Sequence, residues 1–485
     1  METFLTERLD SEVEMREFGA HPLPTLSVDG AGLVLKRYDD AAPFIEIDTF
    51  EVHAGPFGLF RQPRRIRSVK LTGVGIHVGP GRGATNRTDK NDTNNDADEA
   101  GWKSHPAVIT ELIAENARLE IVPKNPAKPP RVYDIHRLVL ADASLEGPTR
   151  FEATLSIPTP PGDVKAHGRI GRWIRRDPGR TRVKGEYAFK DANLGVFRGI
   201  AGILSSTGQF TGPLERLEVR GRTETPKFTL TSAGNPVPLT TEFEAVVDGT
   251  SGDTILTRVR AVLGNSHIAT SGRVIRAREV KGRLIKLDVN VDRARLEDLL
   301  RLAVRGARPP MSGAVRARAR MELRPGEADV IDRLRLDGNF QLASARFSDF
   351  DVQKAVATLS HRGRGINANE APPPGDSVVS NVSGVFSLAA GRMRFSKLTF
   401  SVPGARLRLS GDFHLRSEAL NFEGFLVTEA SLSEMTTGWK SVLARLGDLW
   451  LRRDGETVIP IRISGQKDKP AFGLDAKRAL LRKTN

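Results

Sequence analysis

The residues able to do chemistry are few in this sequence, and they are poorly spaced for it. Asp92-x-Asn94-x-Asp96 begins like a calcium loop of the EF-hand type. Its sixth position is Ala97 where the turn needs Gly, and its twelfth is Lys103 where the ion needs a bidentate Glu. Gly79-Pro-Gly81-Arg-Gly83 follows a strand-like segment but leads into a polar run. It therefore lacks the helix N-terminus that makes a phosphate cradle. No Gly-x-Ser-x-Gly elbow, Walker motif or His-Glu-x-x-His occurs. The nine His residues are scattered without metal-ligand spacing. His136, between Ile135 and Arg137, and His414, between Phe413 and Leu415, fall in strand patterns. Glu297 and Asp298 suit a solvated helix face or the N-terminal dipole. Cys is absent, which excludes disulfides, thiolate zinc sites and Cys nucleophiles. The expectation is a non-enzymatic protein with no catalytic residue, metal or cofactor.

The elements around these residues are mostly strands. Ile285, Leu287, Val289 and Val291 alternate with Lys286, Asp288, Asn290 and Asp292. Val315, Ala317, Ala319 and Met321 alternate with Arg316, Arg318, Arg320 and Glu322. Such period-two segments place aliphatic groups on one sheet face and charge on the other, as in antiparallel sheet wetted on one side. A Gly-x-aromatic-x-aliphatic unit recurs at Gly338-Asn-Phe340-Gln-Leu342, Gly384-Val-Phe386-Ser-Leu388 and Gly411-Asp-Phe413-His-Leu415, ending at Phe347, Phe395 and Phe422. Gly185-Glu-Tyr187-Ala-Phe189 is an earlier copy. Each unit predicts a hairpin, and together they predict a long meandering sheet that grows by adding neighbours. Gly and Pro, 46 and 29 residues, suit many turns.

Helical signals are few. Asp292 is placed to cap a helix near 293–305 that carries Leu296, Leu299, Leu300, Ala303 and Val304 and stops at Gly306. Val352, Ala355, Val356 and Leu359 suggest another. Trp439, Val442, Leu443, Leu446 and Trp450 form a stripe on an amphipathic helix near 431–452. That stripe suits core packing, a cap over an apolar groove, or a membrane-facing foot. The expected organisation is a β region over 1–80, a disordered polar linker over 81–104, a central β region over 105–310 and a C-terminal β region over 311–485. Residues 362–376, with a Pro run, read as an exposed loop.

Lys and Arg exceed Asp and Glu, 73 against 59, for a net charge of +14. That balance suits an anionic surface such as acidic lipid headgroups or an envelope polyanion. Only 6% of residues are aromatic, and no basic run is interleaved with aromatics for base stacking, so nucleic acid is not expected as a partner. No run of about 18 apolar residues occurs, and Met1 to Asp10 lacks the apolar core of a signal peptide. On those grounds the chain reads as soluble.

Pro24 to Gly79 resembles the start of an AsmA-like protein, through Leu26 to Leu35, Phe44 to Phe50, Gly58-Leu59, and Val69-Lys-Leu71-Thr-Gly73 through Ile76. Val402-Pro-Gly404 through Leu407-Arg-Leu409-Ser-Gly411, then Leu420-Asn-Phe422-Glu-Gly424, is similar to that family's closing hairpins. Val458-Ile-Pro460-Ile-Arg-Ile463-Ser-Gly465, then Pro470-Ala-Phe472-Gly-Leu474, is similar to its terminal strand pair. The resemblance covers both ends and the general character of the middle. It implies an elongated, curved antiparallel sheet, a half-pipe with an apolar inner face akin to bridge-like lipid-transfer proteins. It also implies a periplasmic body associated with the inner membrane, phospholipid as cargo, and a part in lipid transport toward the outer membrane. The family's N-terminal anchor helix is not seen in this sequence and is expected upstream.

A lipid slide is physically reasonable. A two-chain lipid in water exposes some thirty methylenes at about 0.8 kcal/mol each, on the order of 20 kcal/mol in all. A continuous aliphatic strip removes most of that cost. Candidate lining residues are Leu334, Leu336, Phe340, Leu342, Phe386, Leu388, Leu398, Phe400, Val402, Leu407, Leu409, Phe413 and Leu415. The opposite Arg rows would stay wet or meet anionic headgroups. The alternative is a scaffold or assembly factor for outer-membrane proteins that holds no lipid. Strands of about six residues would number about 40 and stack to at most about 190 Å, so one copy is not expected to bridge an envelope alone.

Overall fold

A computed structural model describes residues 12–474 apart from 22–25, 37–42, 56–63, 80–106, 349–359, 361–379, 429–450 and a few isolated loop positions. The strands begin with β1 (Glu12–Glu14), β2 (Glu17–His21), β3 (Leu26–Lys36), β4 (Pro43–Ala54), β5 (Arg64–Val78), β6 (Ala107–Ile121), β7 (Arg131–Ala143), β8 (Thr149–Pro158) and β9 (Pro161–Ile170). They continue with β10 (Arg182–Asn193), β11 (Ile200–Ala201), β12 (Ile203–Pro213), β13 (Leu217–Leu230), β14 (Val237–Val247), β15 (Thr254–Leu263), β16 (Ser266–Arg276) and β17 (Arg283–Arg295). After helix α1 (Leu296–Ala303) come β18 (Met311–Leu323), the single turn α2 (Val330–Arg333) and β19 (Leu334–Phe347). The chain closes with β20 (Ser380–Ala389), β21 (Arg392–Val402), β22 (Ala405–His414), β23 (Ala419–Thr428), β24 (Leu451–Arg453), β25 (Glu456–Gln466) and β26 (Lys469–Leu474).

The architecture is one curled half-barrel sheet in which the 26 strands fill 23 successive positions, because β1 and β2 both pair with β3, β11 and β12 with β13, and β24 and β26 with β25. Of the described residues 76% lie in strands, with two helices. From β3 to β5, and again from β6 to β26, pairing is antiparallel and follows chain order, except that β10 pairs with β12 past the two-residue β11, which pairs with β13, and β23 pairs with β25 past β24. The pair β5–β6 is parallel, with Arg64 opposite Ala107 and Val78 opposite Ile121. A parallel step needs a crossover connection, and the polar segment predicted as a linker over 81–104 lies in that connection, outside the described residues. The sheet itself continues across the step.

The strands are longer and fewer than expected. Most run 10–15 residues, so 26 are described where about 40 were anticipated. The 23 positions, stacked at about 4.8 Å, give a contour of about 105 Å. The hairpin reading of the repeat holds for Gly384 to Phe395 and Gly411 to Phe422, which span β20–β21 and β22–β23. It fails for Gly338 to Phe347, which lies wholly within β19. Its polar positions there are the outward half of a strand alternation and do not form a turn.

Curvature has a local cause. Asn116, Asp191 and Ser344 adopt left-handed backbone, at φ 54°, 56° and 55°. Each stands where the pairing slips by a residue or skips a partner, and each is followed by a buried Ala: Ala117, Ala192 and Ala345. Short polar side chains tolerate this conformation, and such bulges bend the strand and increase its twist. The small Ala then fits inside the bend.

Accumulated twist brings the two rims together. The β6–β7 loop lies at one rim, and the β14–β15 loop lies at the other, six strands away. Lys128 Nζ nevertheless reaches Asp253 Oδ2 at 2.8 Å, and Tyr133 OH donates to the carbonyl of Gly249 at 3.2 Å. A second tie joins Val330 N to the carbonyl of Arg198 at 3.0 Å, from β18–β19 back to the end of β10. Six or seven steps of roughly 20–25° turn a strand nearly end for end, so opposite rims can meet.

Helix α1 starts later than predicted. Asp292 remains in β17 and the N-cap position is Arg295. Leu296 and Leu299 pack into the cluster of Val291, Ala294, Val315, Leu342 and Ala345. Asp298 does not face solvent. It is 8% exposed and accepts from Ser266 Oγ at 2.7 Å and Asn265 N at 3.0 Å, pinning the helix to the β15–β16 turn. The adjacent Glu297 is the N-terminal partner that the pattern implied. It accepts from Arg295 Nε at 2.7 Å and is held below the usual carboxylate range, because backbone and Arg295 hydrogen bonds outweigh the upward push of burial.

Candidate functional site

Cross-strand register joins the alternating aliphatic residues into continuous rows on one face. One row runs Leu342, Val382, Phe400, Leu407, Leu426, Ile459. The next runs Phe340, Gly384, Leu398, Leu409, Gly424, Ile461. Another runs Leu336, Leu388, Met393, Phe413, Leu420. Gly338, Phe386, Phe395, Gly411, Phe422 and Ile463 lie between the last two. Leu334 and Val402 extend the same face, opposite Leu323 and Ala405. Of the candidate lining residues only Leu415 leaves these rows. It sits in the turn after β22, where its N–H donates to the carbonyl of Gly391.

Glycine and aromatic residues interlock along these rows. A side chain at Gly384 would meet the Phe340 ring at 2.8 Å, and one at Gly411 would meet Phe422 at 2.8 Å. The rings therefore lie across their cross-strand glycines, which explains the repeated Gly-x-aromatic unit. Phe340, Phe386, Phe395 and Phe422 also contact one another edge-on or tilted, with centroids 5.8–6.3 Å apart.

This face is open. Leu342, Leu388 and Val402 are buried, but Leu336, Phe340, Phe386, Leu398, Phe400, Leu407, Leu409 and Phe413 are only half-buried. A closed sandwich would bury them all. Among the described residues no second sheet covers them, and extensive strand contacts are confined to sheet neighbours. The opposite face carries charge paired across strands: Lys286 with Glu322 at 3.0 Å, Arg320 with Asp288 at 3.8 Å, and Arg392 with Asp412 at 2.6 Å. Such exposed pairs are each worth about 0–1 kcal/mol. They disperse the net charge into a mixed lattice.

The apolar face extends beyond the residues that sequence reasoning selected. At the N-terminal end Ile47, Val74, Ala114, Ala117 and Ile135 form a buried cluster, flanked by Leu33, Phe50, Leu71, Leu119 and Leu138. The signal was present as the alternation of Ile45 with Ile47 and Val74 with Ile76. Linking it to the rest requires the parallel step. Between the ends the face changes. Tyr187, Gly208, Gly221 and Phe243 make one row, and Phe189, Ser206, Thr223 and Thr241 the next. Tyr187 OH meets Ser206 Oγ at 3.1 Å, and the hydroxyls of Thr223 and Thr241 meet at 2.5 Å. Burial pushes the Tyr187 phenol above its ordinary range, partly countered by the Ser206 hydrogen bond.

The rim of the inner face is basic at one place. Arg131, Arg276 and Arg283 end apolar rows at the Lys128–Asp253 tie. Arg131 shares a row with Ile121 and its guanidinium lies 5.0 Å from the Tyr133 ring centroid. Arg283 Nη1 donates to the carbonyl of Gly252 at 3.1 Å. Burial lowers the Arg283 pKa, and the positive charges of Arg131 and Arg276 lower it further.

No helix among the described residues is long and apolar enough to cross a membrane, and no His, Asp and Glu group there could hold a metal ion. The stripe Trp439, Val442, Leu443, Leu446 and Trp450, and the pattern Val352 to Leu359, lie outside the described residues. No family model, curated protein or solved structure matches the chain.

Proposed function

We propose that this protein is a non-enzymatic, AsmA-like envelope protein that holds or conducts phospholipid acyl chains along the inner face of its sheet. The observation that carries this reading is an aliphatic face continuous over successive strands, half-buried, with no second layer over it among the described residues. Fluid chains need a surface that removes methylenes from water without gripping them at one point. Staggered rows of Leu, Ile, Val and Phe supply it. The charged outer lattice keeps the other face in water or against headgroups. A periplasmic setting at the inner membrane, and movement of lipid toward the outer membrane, belong to the same proposal. With a contour near 105 Å, one copy works with a partner, as an oligomer, or as a shuttle.

Native mass spectrometry with lipid extraction tests it, on the 485-residue chain purified from a double-membraned bacterium. Several phospholipids per chain are expected, and Leu407→Glu should remove most of them by placing a carboxylate in the centre of a row. A clean apo mass, with no uptake of a fluorescent phospholipid by delipidated protein, overturns the transport reading and leaves the scaffold reading.

A further inference from the structure

We propose that the arginine cluster at the rim of the inner face is a binding site for a phosphate group, and that its ligand is the headgroup of an anionic phospholipid. The proposal rests on the acyl-chain reading for the identity of the ligand and on the cluster's own geometry for the phosphate.

Three arginines from two distant parts of the chain converge here. Arg131 begins β7 and continues its inner-face row toward Tyr133 and Ile135. Arg276 ends β16 directly opposite Arg283, which begins β17. The inner-face rows that they terminate are Gly272 and Val274 on one strand, and Ile285, Leu287 and Val289 on the other. Cations therefore stand where an aliphatic strip meets water, the layout that a two-chain phosphate lipid requires. Its chains would lie along the rows and its phosphate would sit at the rim.

Among the described residues the charge around the cluster is not balanced. The ionisable neighbours of Arg283 among the described residues are Arg131, Arg276, Asp253 and Tyr133. Asp253 is the one carboxylate among them, and it is ion-paired with Lys128 at 2.8 Å. Lys128 also donates to the carbonyl of Arg276 at 2.7 Å. Asp177, Glu215 and Asp248 line a hollow of about 200 Å³ together with Lys128 and Asp253, and none of the three arginines is in its wall. Asp248 is engaged there by Thr250 and Ser251. An added anion relieves the repulsion among neighbouring guanidiniums, and a phosphate accepts bidentate bonds from guanidinium forks. Placement at the rim-to-rim tie also couples the headgroup to the contact between the two rims, because Arg131 and Tyr133 come from one rim and Gly249 to Asp253 from the other.

Calorimetric titration of the 485-residue chain tests this with three probes: dihexanoylphosphatidic acid, dihexanoylglycerol with the same chains and no phosphate, and inorganic phosphate. The phosphatidic acid should bind at least about tenfold more tightly than the diacylglycerol. Arg276→Gln with Arg283→Gln should erase that preference and leave diacylglycerol binding unchanged. A folded double variant that keeps the full preference, or a wild-type chain with none, overturns the site. If neither lipid binds, the acyl-chain reading fails. Phosphate binding that the double variant loses would then uphold a free-phosphate site and overturn the lipid assignment, and absence of phosphate binding overturns both. Should the double variant not fold, Arg283→Lys decides. It keeps the charge but gives up the fork, and must weaken the preference for the proposal to stand.

Discussion

At both ends of the sheet the inner face is Leu, Ile, Val and Phe, packed into buried clusters around Ile47 and Val74, around Val315 and Leu342, and around Leu426 and Ile459. In the middle, across β10 to β14, the same face presents Gly185, Gly208 and Gly221 with Ser206, Thr223 and Thr241. The ends are thick with methylenes. The waist is thin, and its hydroxyls answer one another in pairs. Paired hydroxyls lower the cost of polar atoms on an apolar face, and glycines let neighbouring strands and rings approach closely. The lesson is that one alternating pattern builds two surfaces, according to whether its inward positions are large or small. The waist is also where the sheet coils far enough for its rims to meet.

Four experiments would break or sharpen this contrast. Leu342→Ala at the C-terminal end, where the side chain is 3% exposed, should cost about 3 kcal/mol in urea unfolding. Val219→Ala in the half-buried waist should cost about 1 kcal/mol. Equal costs would erase the distinction between clustered ends and an open waist. Asp298→Ala should follow, at about 2 kcal/mol, since it strands the Ser266 and Asn265 donors. Hydrogen exchange should then rise along α1 and the β13, β14, β17 and β18 ends that the helix touches, because that helix fastens the waist to the C-terminal end. Gly208→Ala should cost about 1.5 kcal/mol, since its Cβ would lie 2.4 Å from the Arg220 carbonyl and 2.8 Å from the Tyr187 ring. An unchanged melt would mean that the waist has slack. The smallest change in stability, within about 0.5 kcal/mol, is expected for Thr223→Val with Thr241→Val, which replaces both partners of one bond. The informative readout there is lipid uptake, which should rise if the waist hydroxyls are what slows acyl chains.

Much of this was legible in the residues. Period-two alternation gave the strand class, the two-faced sheet and twelve lining positions that do share a face. The hairpins at Gly384 to Phe395 and Gly411 to Phe422 were visible because turn and alternation agree there. Gly338 to Phe347 misled because the same unit was used inside one strand. Asp298 misled because an acid in the first turn of a helix usually faces water, and its partner Ser266 is 32 positions away. The bulges at Asn116, Asp191 and Ser344 were hidden, since a polar residue before Ala carries no strong local signal. They are what let the strands run long and still curl.

The sequence by itself determined that this chain is a β protein with an aliphatic side and a charged side, because side-chain direction in a strand depends only on positions two apart. Tertiary structure alone decided which rows join, that β5 and β6 run parallel, and that the aliphatic face has no covering sheet among the described residues. It also decided that Lys128 and Arg276, 148 positions apart, meet at one rim. Register slips and accumulated twist are sums over many strands, and no local window of residues contains them.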